Sequence, residues 1–327
     1  MAVALALPSY GDFPGGARTF FSEVGALADA GGIDTLLVPD HVRLPDSDVR
    51  ANGGVPRSDE PLDCWTLLSF LAAATERVQI GAAVTPVPLR HPVTIAHAVA
   101  TVDRLSGGRA VVGLGAGWYE EEFAESGLRF AGHRERLEQT REGAGIVRRL
   151  LAGDVVTEHG SFYRVENASV CRPAPGRRPP LWFAGRSERL LALVADIGDG
   201  WITMSNPSPA DVAKGIARLS ELLAERGRDR RAVRVAVSFI TRVAETDAAA
   251  RSDIEEYIER GAFTGFIREF YGESTLRHGL WGSAESCYRK LAPYLELGVD
   301  LVIADVRPPR HTLDTTRRLC EELLPRL

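Results

Sequence analysis

ATVDRLSGGRAVVGLGAGW, residues 100–118, joins a helix end, a glycine turn, a strand and a second glycine loop in one short stretch. Ser106-Gly107-Gly108 supplies the positive-φ positions that stop a helix and reverse the chain. The following Ala110-Val111-Val112-Gly113-Leu114 is short and uncharged, the pattern of a strand buried on both faces. Gly115-Ala116-Gly117 then lets a ligand approach bare backbone, and Trp118 adds a broad apolar plate. A buried strand that ends in such a loop is where α/β proteins place ligands.

Outward from this stretch, apolar runs bounded by breakers predict further strands over 3–7, 35–38, 78–84, 181–184, 200–203, 233–243 and 301–304. Helical spacing over 17–30, 62–75, 93–105, 134–151, 188–197, 210–226 and 284–297 alternates with them. A small hairpin turned at His159-Gly160 lies between. Residues 42–61, rich in Pro, Gly, Asp and Arg, carry no regular period, and 247–282 is too long for one plain connection. Eight strand–helix alternations predict an α/β fold, a single (β/α)8 TIM barrel over residues 1–327 with insertions after strands 2, 4 and 7. A doubly wound open sheet is the alternative.

A formal net charge of −5, with no concentrated basic stretch, speaks against a nucleic-acid partner. Cys64, Cys171, Cys287 and Cys320 lie far apart with no CxxC, which points to reduced thiols and a cytoplasmic setting. The opening MAVALALPSYGDF has no basic n-region and reads as a first strand. No apolar run approaches the ~20 residues of a membrane helix, so no membrane partner is expected.

In a barrel, chemistry gathers at the carboxyl ends of the strands. The able residues there are Asp40-His41, the 115–118 loop, Gly185-Arg186-Ser187, Ser205-Asn206 and 305–307. A GxGxxG fingerprint from Gly113 would need glycine where Trp118 stands, and no GK[ST] follows a strand. A phosphate is therefore better seated at Gly185-Arg186-Ser187, where free N–H groups open the next helix and an arginine adds charge. The plainer reading makes Ser187 an ordinary helix cap. His41 is a proton donor or hydrogen-bonding partner, or else a structural histidine. His91 reads as a helix-start residue. No HExxH or other metal-ligand spacing occurs, so no metal is expected.

IGAAVTPVPLRHPVTIAHAVATVDRLSGGRAVVGLGAGWYEEEF, residues 80–123, resembles the central signature of the bacterial luciferase-like superfamily of flavin-dependent monooxygenases and F420-dependent oxidoreductases. LLVPDHV (36–42), RPPLWFAGRSERLLALVADIGDGWI (178–202) and ELGVDLVIADV (296–306) extend the resemblance in the same order. It implies a reduced flavin or deazaflavin over the carboxyl end of the barrel. Ala83-Val84 would form a bulge, often with a non-proline cis peptide, beneath the ring. Gly115, Ala116, Gly117 and Trp118 would lie along the ring, Gly185, Arg186 and Ser187 would hold the phosphate, and Asp40-His41 would stand near the hydride-transferring carbon. Sugar-phosphate dehydrogenases of the superfamily carry a glutamate where this chain has Trp118. The nearest carboxylates here are Glu120, Glu121 and Glu122.

The resemblance thus implies an F420-dependent hydride transfer to or from a small, hydrophobic organic substrate, with His41 catalytic. Phe263, Phe266, Phe270, Tyr271 and Trp281 would roof that substrate, unless their spacing marks only the buried face of a helix. The arginine-rich composition, with lysine only at Lys214 and Lys290, favours F420 over FMN as a mark of GC-rich genomes. The alternatives are an FMN-dependent monooxygenase that uses O2, its reduced flavin supplied by a partner reductase, and a non-catalytic flavin-binding barrel. The resemblance also implies a homodimer, for which the apolar helix at 62–74 is a candidate face.

Overall fold

A computed structural model describes residues 1–176, 178–203, 205–262 and 272–327 of the chain. Among these residues the strands are β1 (Ala2–Ala6), β2 (Thr35–Val38), β3 (Gln79–Pro86), β4 (Ala110–Gly115), β5 (Val156–His159), β6 (Arg164–Ala168), β7 (Leu181–Ala184), β8 (Gly200–Ile202), β9 (Arg234–Val243), β10 (Leu280–Gly282) and β11 (Leu301–Val306). Strands β1, β2, β3, β4, β7, β8, β9 and β11 pair in parallel in that order, and β11 pairs back to β1. The result is the closed TIM-like barrel expected from the sequence.

Its interior is filled by Ala4, Leu37, Val111, Trp182, Ile202, Ala236, Leu301 and Ile303. A larger apolar layer lies between the strands and the surrounding helices, so the strands are buried on both faces. That is why they read as unbroken apolar runs rather than alternating ones.

At the amino end, Gly107 and Gly108 take φ of 70° and 93°, and the Gly108 N–H closes the turn on the Asp103 carbonyl at 2.8 Å. Arg109 then fastens the turn to the preceding βα unit. Its guanidinium donates to the carbonyls of Ala72, Thr75 and Val78 at 2.9, 2.8 and 2.7 Å. The opening stretch is thereby anchored at one end and left to carry its glycine loop at the other.

Three insertions ride on the carboxyl side. Residues 42–61, expected to be irregular, contain the short helix Asp46–Ala51, whose first turn holds Asp46 and Asp48. After β4 come the helices Glu120–Glu125 and His133–Leu151 and the antiparallel β5–β6 hairpin, which turns over 160–163, one step beyond the expected dipeptide. After β9 come the helix Asp247–Tyr257, the helix Glu273–His278 and β10, a three-residue strand beside the end of β9 that sequence patterning missed. The helix Cys64–Ala74, a candidate dimer face, turns Trp65, Leu67, Leu68 and Leu71 into its own chain. Among the described residues no helix is long and apolar enough to cross a membrane.

Candidate active site

The sequence LLVPDH carries β2 straight into the site. Pro39 cannot extend the ladder, and Asp40 turns inward at 2% exposure. Its Oδ2 accepts from the Thr85 hydroxyl and its Oδ1 from Arg90 Nη2, both at 2.8 Å. The same arginine nitrogen reaches Asp63 at 2.8 Å, and the Trp65 indole N–H donates to Thr85 at 3.2 Å. Burial works against the Arg90 charge, but Asp40 and Asp63 outweigh it and hold the guanidinium well above its ordinary pKa. Asp40 is thus a pin between the ends of β2 and β3, both of its oxygens engaged by protein.

That pin sits beside the β3 bulge. Register slips between Ala82 and Thr85, and the Ala83–Val84 peptide is cis, as the resemblance implied. Val84 leans on β4, where a Cβ at Gly115 would lie 2.6 Å from its Cγ2. Gly115 is therefore required by the bulge itself, whatever binds above it. Gly115→Val is expected to displace the bulge and weaken flavin or deazaflavin binding at least about tenfold, checked by titration. Retained affinity would show that the bulge adapts.

The rest of the loop is fixed from behind. Arg136, on the helix His133–Leu151, donates to the carbonyls of Ala116 and Gly117 at 3.2 and 3.4 Å. Trp118 stays 48% exposed, its ring edge-on to His41 with centroids 6.1 Å apart and Tyr119 beside it at 5.3 Å. Loop and tryptophan form one wall.

His41 has a partner that sequence reasoning did not single out. Its Nδ1 lies 3.1 and 3.2 Å from the two oxygens of Glu122, which is fully buried and also accepts the Val42 N–H at 2.8 Å. A carboxylate only accepts, so Nδ1 carries a proton, and in the neutral ring Nε2 is the nitrogen that presents a lone pair. Among the three successive glutamates, Glu120 and Glu121 remain exposed while Glu122 turns in. Its following residue, Phe123, is buried as well, and that Glu-Phe junction was the available signal.

Across the barrel mouth, Gly185 bridges β7 and β8: its N–H donates to the Ile202 carbonyl at 3.0 Å and its carbonyl accepts from the Trp201 indole at 2.7 Å. The Ser187 hydroxyl caps the helix Glu188–Ile197 through the Leu190 N–H at 3.3 Å, the plainer of its two readings. Beside this turn lies a cavity of about 290 Å³ lined by Arg186, Thr203, Ser205, Asn206, Arg277 and His278, among others. The Thr203 hydroxyl is buried with no hydrogen-bond partner among the described residues. An orphaned hydroxyl, two arginines and a histidine share this cavity with the carboxylates Asp211 and Glu273, a polar lining of mixed charge. His91 caps its helix through the Val93 N–H, as its position implied. Of the expected roof, Trp281 packs with Ala51, Ile240, Ile254 and Tyr257, while Phe263, Phe266, Phe270 and Tyr271 lie outside the described residues.

The pattern that defines the luciferase-like monooxygenases matches residues 15–301. The chain belongs to that family. Solved structures share its fold. The coenzyme F420-dependent tetrahydromethanopterin reductase of Methanopyrus kandleri aligns at a TM-score of 0.77 and 18% identity, covering 99% of this chain and 98% of its own. A monooxygenase of Streptomyces bottropensis aligns at 0.80 and 22%, covering 99% of each chain. The oxygenating constituent of a Pseudomonas putida 3,6-diketocamphane monooxygenase, solved with FMN, aligns at 0.75 and 18%, covering 99% and 98%. At these identities the likeness carries the fold, and the luciferase-like family makes the chain an oxidoreductase.

Proposed function

We propose that this luciferase-like protein is an F420-dependent oxidoreductase that moves a hydride between the deazaflavin and a small, hydrophobic organic substrate. The observation that carries the reading is the His41–Glu122 pair: a buried carboxylate fixes Nδ1–H and leaves Nε2 as a base at the barrel mouth. When bound, the deazaflavin would supply or accept the hydride. The accompanying proton is then handled at Nε2, taken from a substrate hydroxyl in oxidation or returned to it in reduction. The residues present fit the group. Ala83, Val84, Gly115, Ala116, Gly117 and Trp118 offer a bare, walled surface for a flat ring, with Asp40 holding the bulge behind it. Gly185, Arg186 and Ser187 offer an anion seat beside the cavity.

The second reading keeps the site and exchanges the cofactor for FMN with O2, the reduced flavin coming from a partner reductase. It is favoured by the FMN complex of the camphane enzyme of the same fold. Titrating the apo-protein with F420 and with FMN, followed by fluorescence, separates the two. We expect tighter F420 binding and no oxygen uptake with reduced FMN. Tight FMN binding with oxygen uptake would establish the second reading, and binding of neither would overturn both.

A further inference from the structure

His41, Val42 and Arg43 converge on one carboxylate. The imidazole Nδ1 lies 3.1 Å, the Val42 N–H 2.8 Å and the Arg43 N–H 3.5 Å from Glu122 Oε1. Residues 41–44 make no backbone–backbone hydrogen bond with any described residue. Leu44 packs with Tyr10 and Val49, which holds the far end of the stretch. The near end depends on Glu122 and on the side chain of Arg43.

Arg43 is 5% exposed. Its Nη1 donates to Glu60 and its Nη2 to Asp46, both on the insertion after β2. Its Nε lies 3.4 Å from Glu125 Oε1, an ion-pair contact to the helix Glu120–Glu125 that also carries Glu122. Burial works against the Arg43 charge, but Glu60 and Asp46 outweigh it and hold the guanidinium above its ordinary pKa. One residue thus offers its backbone to Glu122 and its side chain to Glu125, a turn further along the same helix. Arg57 repeats the outer link, donating to Glu125 at 2.8 Å, while its own N–H is held by Glu60 at 2.8 Å. That second pair is exposed on both sides and contributes little. The buried guanidinium is the member whose loss would be felt.

We propose that Arg43 is a positioning residue for the reaction: its side chain fixes the backbone of residues 41–43 against the helix Glu120–Glu125, so that Glu122 keeps the proton of the neutral His41 ring on Nδ1. The proposal rests on His41 as the proton-handling group. Without the guanidinium, no backbone bond remains to hold residues 41–43 in register with Glu122. The carboxylate then loses the N–H groups that aim it, and the ring is free to take either tautomer.

The test begins on the apo-protein, so it does not depend on which cofactor is used. Nitrogen-15-labelled histidine reports the tautomer, with His41→Ala assigning one ring among the seven histidines. At about pH 8 an ordinary imidazole is neutral, and His41 of the parent is expected to show the Nδ1–H tautomer alone. Arg43→Met keeps an apolar stem but removes the clasp, and both tautomers are expected. Arg43→Lys keeps the charge without the fork that spans several carboxylates, so an intermediate mixture is expected. Glu60→Gln, at a partly exposed position, loosens the same clasp without emptying the buried site and is expected to shift the ring in the same direction, even where Arg43→Met fails to fold. Mixed tautomers in the parent, or the Nδ1–H form unchanged in every folded variant, would overturn the proposal. With whichever of F420 or FMN supports turnover, Arg43→Met, or Glu60→Gln in its place, is expected to lower kcat about three- to tenfold with KM and cofactor affinity changed less than about twofold, and Arg43→Lys is expected to recover part of the loss. A raised KM with kcat retained would make Arg43 a wall of the substrate chamber and would also overturn the proposal. Absence of turnover with either cofactor would instead count against the proposed function, leaving the tautomer measurement to decide on Arg43.

Discussion

Replacing His41 by alanine is expected to lower turnover about 10²- to 10⁴-fold while cofactor affinity changes less than about threefold, because general acid–base catalysis contributes in that range. The imidazole stands at the end of β2, and the wall of the mouth is built by other residues, so its removal leaves the ring surface in place. Glu122→Gln separates orientation from chemistry. The amide keeps the shape, but its NH2 group can donate to Nδ1 and so select the other tautomer, which puts a proton on Nε2 where a base is needed. A smaller kcat loss, about 10- to 100-fold with KM little changed, is expected. Steady-state kinetics beside fluorescence titrations on one preparation check both variants. Unchanged kcat in His41→Ala would remove it from the reaction.

Much of this arrangement was legible before any coordinates, and the parts that were not share a cause. The barrel strands are buried on both faces, so their uncharged runs, cut by Gly and Pro, announce themselves locally. The loop 115–118 and the turn at Gly185 were equally local, since glycine marks close approach or unusual backbone wherever it stands. Glu122 was not. Three glutamates in succession look like a solvated face, and only a partner 81 residues away in the chain gives the third a reason to turn inward. The helix Asp46–Ala51 was hidden for a similar reason: its composition resembles a loop, and it packs against Ile258–Ala262, a segment far along the chain. Asp40 shows the remaining gap. Its place beside His41 was readable, but the direction of its carboxylate was set by Thr85 and Arg90 at the far end of β3.

That direction makes Arg90→Met the substitution with the largest expected effect on stability. Asp40 is nearly inaccessible, and without the guanidinium it keeps only the Thr85 hydroxyl as a donor. Breaking a buried pair by removing one member costs about 3–5 kcal/mol, because the remaining charge is neither solvated nor matched. The Asp63 contact adds little, since that carboxylate is exposed and keeps its helix-capping bonds to Thr66 without the arginine. Urea unfolding of the apo-protein measures the loss. Asp40→Asn in the same background removes the stranded charge and is expected to restore part of the stability, about 1–2 kcal/mol, which a purely steric role for Arg90 would not allow. Because Thr85 closes the register slip that carries Ala83 and Val84, the loss should also reach the mouth of the barrel. Arg90→Met is then expected to bind cofactor about tenfold more weakly, with the double variant intermediate. Equal affinities in all three proteins would confine Asp40 and Arg90 to holding the fold.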